Sequence, residues 1–179
     1  MPMVGTTVRG VDMRLLLLLL ISFNTVAEDR VSLYLGLGIG NVYDADTSGK
    51  SMYSVAAIKG DWRAEIAYWE EYTRSEWWDT DPDWRPTKPR TVIKSHSVLS
   101  VTNTIYKKNL GNGLEFFYDF GLALTDSKSS VNSSYLLFKH NLGFTYKSCS
   151  VYLSHKSNAG LAGVNAGEDG VTVMCGIGW

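Results

Sequence analysis

Val31, Leu33, Leu35, Leu37 and Ile39 are apolar, and Ser32, Tyr34, Gly36, Gly38 and Gly40 fall between them. Alternation with a period of two over this length demands an extended strand with two unlike faces. The chain closes in the same way. Val171, Val173, Cys175, Ile177 and Trp179 alternate with Thr172, Met174, Gly176 and Gly178. Comparable segments recur between these two, and strands are predicted near 30–41, 51–59, 61–73, 91–106, 114–125, 134–146, 149–156 and 168–179. The connections at Lys59-Gly60-Asp61, Lys107 to Gly113 and Lys147-Ser148 are short. Those at Asn41 to Lys50, Arg74 to Arg90, Thr125 to Ser133 and Ser157 to Gly167 are mostly longer and polar. Gly36-Leu37-Gly38-Ile39-Gly40 lacks the spacing of a nucleotide loop and no helical pattern follows it. Small residues facing into a narrow barrel are the better reading.

Eight strands with short turns at one end and long loops at the other predict an all-β chain, an eight-stranded antiparallel transmembrane β-barrel of the bacterial outer membrane. A terminal strand of alternating apolar residues ending on an aromatic fits the same class. No other arrangement of strands satisfies every backbone group in lipid. A soluble lipocalin-like barrel would turn its apolar residues inward. Here the inward phase holds Arg63, Glu65, Glu115, Asp119 and Lys139, which predicts a polar, plugged interior.

Export is predicted from the first residues. Arg14 precedes the unbroken run Leu15 to Leu20, and Thr25-Val26-Ala27 precedes Glu28-Asp29. A basic residue, a short apolar run and small residues mark a cleavable signal peptide, here 1–27, leaving 28–179 as one barrel domain. The run is far short of the roughly 20 residues a membrane helix needs. Met13 is an alternative start, since Asp12 is out of place in a leader. The formal charge of −1 gives no reason to expect nucleic acid as a partner.

Chemistry concentrates in His155-Lys156-Ser157-Asn158-Ala159-Gly160-Leu161. A serine hydroxyl needs an adjacent base to act as a nucleophile, and residues two apart on a strand share a face. This segment, with Asn165 and Gly167 following, resembles the signature of the lipid A 3-O-deacylase (PagL) family, eight-stranded outer-membrane barrels that hydrolyse an ester-linked acyl chain of lipid A. The sharp part of the resemblance covers the last quarter of the chain; size, leader, strand count and terminal aromatic extend it more weakly over the rest. It implies Ser157 as nucleophile and His155 as base, with oxyanion support from Asn158, Gly160 and Asn165. It implies no cofactor and no metal. The acid should stand fourteen residues after the histidine, where Asp169 replaces the glutamate of the family pattern. Glu168 is the alternative, but Asp169 shares the parity of Val171 and Val173, as His155 shares that of Val151 and Leu153. Asp169 is therefore favoured.

The function so implied is serine-esterase removal of the 3-hydroxyacyl chain at position 3 of lipid A, in the outer leaflet of a Gram-negative outer membrane. The competing readings are a non-enzymatic structural or adhesion barrel and, less well supported, a phospholipase barrel. Homodimerisation is left open. His96 and His140 read as barrel-wall residues, and Trp77, Trp78 and Trp84 as an aromatic belt. Asp79-Thr80-Asp81-Pro82-Asp83 fails as a calcium loop, because Trp84 and Arg90 stand where glycine and glutamate are needed. Lys50, Arg74, Lys88, Arg90 and Lys156 are either phosphate contacts or solvated loop charge. A register that sets His155 opposite Asp169 also sets Cys149 opposite Cys175, bringing the two cysteines together. Whether they bond is left open.

Overall fold

The exposed outer face is largely apolar and the charged side chains of the wall strands turn inward, beside buried apolar clusters, and this arrangement follows from the alternation above. A computed structural model describes residues 31–40, 50–74, 91–129, 131–161, 163 and 167–177. The expected leader 1–27, the tryptophans at 77, 78 and 84, the segment 79–83, Lys88, Arg90, Asn165 and Trp179 lie outside the described residues. The strands are β1 (Ser32–Gly40), β2 (Lys50–Lys59), β3 (Trp62–Trp69), β4 (Tyr72–Arg74), β5 (Thr91–Ile93), β6 (His96–Gly111), β7 (Leu114–Thr125), β8 (Leu136–Tyr146), β9 (Cys149–Ser157) and β10 (Glu168–Ile177). Eight of them close into an antiparallel barrel in the order β1-β10-β9-β8-β7-β6-β3-β2, while β4 and β5 form a separate ribbon. The all-β, eight-stranded closed barrel expected from the sequence is the fold.

Two segments depart from their expected bounds. The strands foreseen at 61–73 and 91–106 break at Glu70-Glu71 and at Lys94-Ser95, so that β4 and β5 leave the wall. Their reason for leaving is burial: Tyr72 and Ile93 are both almost wholly enclosed in an apolar cluster with Trp69, Val98, Val131 and Leu137. At the opposite end the connection expected over Lys107 to Gly113 shrinks to a tight turn. Asn112 and Gly113 both adopt positive φ, 53° and 78°, as an Asn-Gly hairpin requires. β6 therefore runs on to Gly111, with register shifts between Thr104 and Tyr106 and between Asn109 and Gly111.

The buried charges of the interior are paired among the described residues. Lys139 Nζ lies 2.8 Å from Glu65 Oε2, and Arg63 Nε lies 3.3 Å from Asp119 Oδ2. Tyr152 donates its hydroxyl to Glu65 Oε1 at 3.2 Å, and the Arg63 guanidinium lies over the Tyr152 and Phe117 rings. Buried charges persist only when paired in this way. Glu115 is the exception among the five residues assigned inward. It is half-exposed at the short-turn end, where Lys107 pairs with it at 3.2 Å. Outside, Leu35, Leu37, Ile39, Val55, Leu122, Leu142, Leu153 and Val173 all stand exposed.

Candidate active site

The site is built on β9 and β10, near the long-loop end. These strands pair with Asp169 opposite His155 and Cys175 opposite Cys149, the register expected from the sequence. A disulfide joins the two cysteines. His155 and Asp169 face outward, in the phase of Val151, Leu153 and Val173, and His155 Nδ1 lies 2.7 Å from Asp169 Oδ1. A carboxylate on Nδ1 fixes the ring's orientation and favours the tautomer that leaves Nε2 as the acceptor.

Ser157 is the last residue of β9, paired with Phe138 on β8. It is 8 % exposed, and no hydrogen bond joins it to His155 among the described residues. The strand stops there because Ala159 and Gly160 take positive φ, 51° and 75°. Asn158 holds this turn: its Oδ1 accepts from Gly160 N–H at 2.9 Å and its carbonyl accepts from Leu161 N–H at 3.0 Å. Its side-chain amide also donates to Ser133 Oγ at 3.4 Å, tying the turn to the β7–β8 loop. Asn158 is therefore buried, and the Gly160 N–H expected to support an oxyanion is engaged within the turn.

Glu168 belongs to the other face. Its carboxylate accepts from Tyr72 Oη at 2.6 Å and from Asn132 Nδ2 at 3.0 Å. It also lies 3.0 Å from Lys156 Nζ and 3.3 Å from His96 Nε2. Strand parity turns it into the barrel, so as an alternative partner for His155 it is corrected to an interior clamp. The same parity corrects Lys156. It is neither a phosphate contact nor a solvated charge, but a buried ammonium 3.4 Å from the centre of the Trp69 ring. His96 stacks on the far side of the clamp against Trp69. Lys50 remains exposed, and Arg74 ends β4.

Three further residues join the site: Gly167, which the sequence reading placed in the signature without a role, His140, which it read as a wall residue, and Tyr118, which it did not single out. Gly167 comes down on the imidazole, where a Cβ would stand 2.5 Å from His155 Cε1. His140 is directly opposite His155 on β8, with ring centres 6.2 Å apart. Tyr118 on β7 reaches His140, Oη to Nδ1 being 2.6 Å. Distance along the chain hid His140 and Tyr118; strand pairing combined with outward parity was the signal for them. A cleft of about 170 Å³ lies among His140, Leu142, Leu153, His155 and Asp169.

The chain is thus a closed eight-stranded barrel with ion pairs buried in its interior, bearing a hydrogen-bonded His–Asp pair on its outer wall and a serine two residues on from the histidine at the end of β9. Neither a family model nor a curated protein matches the sequence. Among solved structures, the outer membrane enzyme PagL is similar at 15% identity, covering 83% of this chain and 99% of that one, with a TM-score of 0.45.

Proposed function

We propose that this protein is an outer-membrane serine esterase acting on lipid A, which removes the ester-linked 3-hydroxyacyl chain at position 3. The observation that carries this reading is the His155–Asp169 pair on the apolar outer wall. Polar side chains on a lipid-facing surface cost free energy, most at mid-bilayer and little near its edge. A barrel kept only for its shape gains nothing from them. The long-loop end is assigned to the cell exterior, where the acyl chains of lipid A meet the wall from the outer leaflet.

In the reaction, Ser157 Oγ attacks the ester carbonyl as its proton passes to His155 Nε2. Asp169 stabilises the imidazolium so formed. The tetrahedral oxyanion is held by donors of segment 158–165, for which Gly160 exchanges its bond to Asn158. Collapse expels the sugar hydroxyl, which takes the proton back from His155 and leaves an acyl-serine. Water, activated by the same imidazole, then releases the fatty acid. Attack needs Ser157 brought onto His155, a contact that forms on substrate binding in many hydrolases.

The missing Ser157–His155 hydrogen bond also favours a second reading, a barrel with a structural or adhesive role. Mass spectrometry of lipid A from cells expressing the wild type and Ser157→Ala separates the two. The wild type is expected to release one 3-hydroxyacyl chain and the variant none. Equal deacylation by Ser157→Ala would remove the serine mechanism, and intact lipid A in both would leave the structural reading.

A further inference from the structure

The proposed chemistry uses His155 and Asp169 but leaves the Tyr118–His140 pair unexplained. Both residues face outward, on β7 and β8, where the neighbouring outward positions are Phe120, Phe138 and Leu142. His140 Nδ1 and the Tyr118 hydroxyl satisfy one another at 2.6 Å. The other ring nitrogen has no hydrogen-bond partner among the described residues. A polar atom facing hydrocarbon without a partner is costly, so a ligand atom that pairs with it binds there with advantage.

The position of His140 says where on a ligand that atom sits. Ser157 is opposite Phe138, and His140 is two residues further along β8 toward the short-turn end. His140 is therefore the diagonal neighbour of the nucleophile, at a Cβ separation of about 7–8 Å, and deeper in the wall. An acyl chain whose ester carbonyl lies at Ser157 descends in this direction, through the cleft that His140 shares with Leu142, Leu153 and Asp169. The first polar atom beyond the carbonyl of a 3-hydroxyacyl chain is its hydroxyl, two carbons along.

We infer that the Tyr118–His140 pair is a specificity device that reads the 3-hydroxyl of the acyl chain. This rests on the esterase reading above. A hydroxyl both donates and accepts. It therefore suits Nε2 in either tautomer, whereas a carbonyl or phosphate oxygen suits only Nε2–H. Tyr118 holds Nδ1 at 2.6 Å and leaves Nε2 for the ligand, and the ring of Phe120, the β7 residue paired with His140, packs 4.9 Å from the imidazole.

The test compares two p-nitrophenyl esters in detergent micelles, (R)-3-hydroxytetradecanoate and tetradecanoate, by kcat/KM. One hydrogen bond is worth up to about tenfold, so the wild type should prefer the hydroxylated ester by roughly that factor. In Tyr118→Phe and His140→Leu the preference should collapse toward one, with the loss falling on the hydroxylated ester. A wild type without preference overturns the inference. So do variants that keep the wild-type ratio, or that lose both substrates equally and thereby reveal a merely structural role. Failure of the esterase reading looks different: Ser157→Ala would then hydrolyse both esters as well as the wild type, or the wild type would hydrolyse neither.

Discussion

Two adjacent carboxylates, Asp169 and Glu168, have opposite environments because one backbone step on a strand exchanges outside for inside. Asp169 holds His155 on the outer wall. Asp169→Asn should leave the barrel folded and lower kcat on lipid A by roughly 10²–10⁴-fold, the range for losing the group that orients a catalytic histidine. Glu168 is enclosed by Tyr72, Asn132, Lys156 and His96. Glu168→Ala leaves the buried Lys156 ammonium without its carboxylate partner, which costs about 3–5 kcal/mol. Urea titration followed by the mobility shift of the folded barrel on gels should show a larger drop in midpoint for Glu168→Ala than for Asp169→Ala. The reverse ranking would mean that Glu168 does not clamp the interior. Parity alone separated these two residues in the sequence, since both lie on one regular strand.

Elements were legible to the degree that their residues alternate. The bounds of β1, β7 and β9 follow the sequence closely, because apolar and polar residues swap without interruption. The β6–β7 turn did not, although Asn112-Gly113 carries the hairpin signal; the charged run Lys107-Lys108 obscured it. β4 and β5 escaped because their burial depends on packing over the barrel mouth, which no local pattern encodes. His140 escaped for a related reason, since its partner in space comes from the neighbouring strand. The loop before β10 is also an element with a strict demand. Gly167 has φ of 72° and lies against His155, so Gly167→Ala should push the imidazole off Asp169 and lower kcat at least tenfold. Gly113→Ala, at φ of 78° with only the Tyr146 ring edge at 4.0 Å, carries similar backbone strain of about 1–2 kcal/mol and should keep its activity. At the far end of β9 and β10, iodoacetamide should modify neither cysteine until a reductant is added, and both afterwards. Labelling of the unreduced, folded barrel would contradict the Cys149–Cys175 bond.

For the whole molecule, the outer wall and the paired interior must be judged against different solvents. Leu37 is 66% exposed in the middle of β1. If that wall meets lipid, Leu37→Arg should cost about 2–4 kcal/mol, measured as a lower urea midpoint for the barrel in phospholipid vesicles. No loss there would speak for a water-facing wall. The site opens through the same surface, sideways rather than toward either end of the barrel. In a bilayer such an opening would be filled by encounters within a sheet, so the quantity that sets its occupancy would be the number of substrate molecules per unit area. Doubling the bulk lipid at fixed composition then leaves each barrel with the same neighbours, while diluting the substrate among inert lipids starves it. On the proposed function an inhibitor has to enter the bilayer before it can compete, and its potency should follow its partition coefficient as closely as its fit.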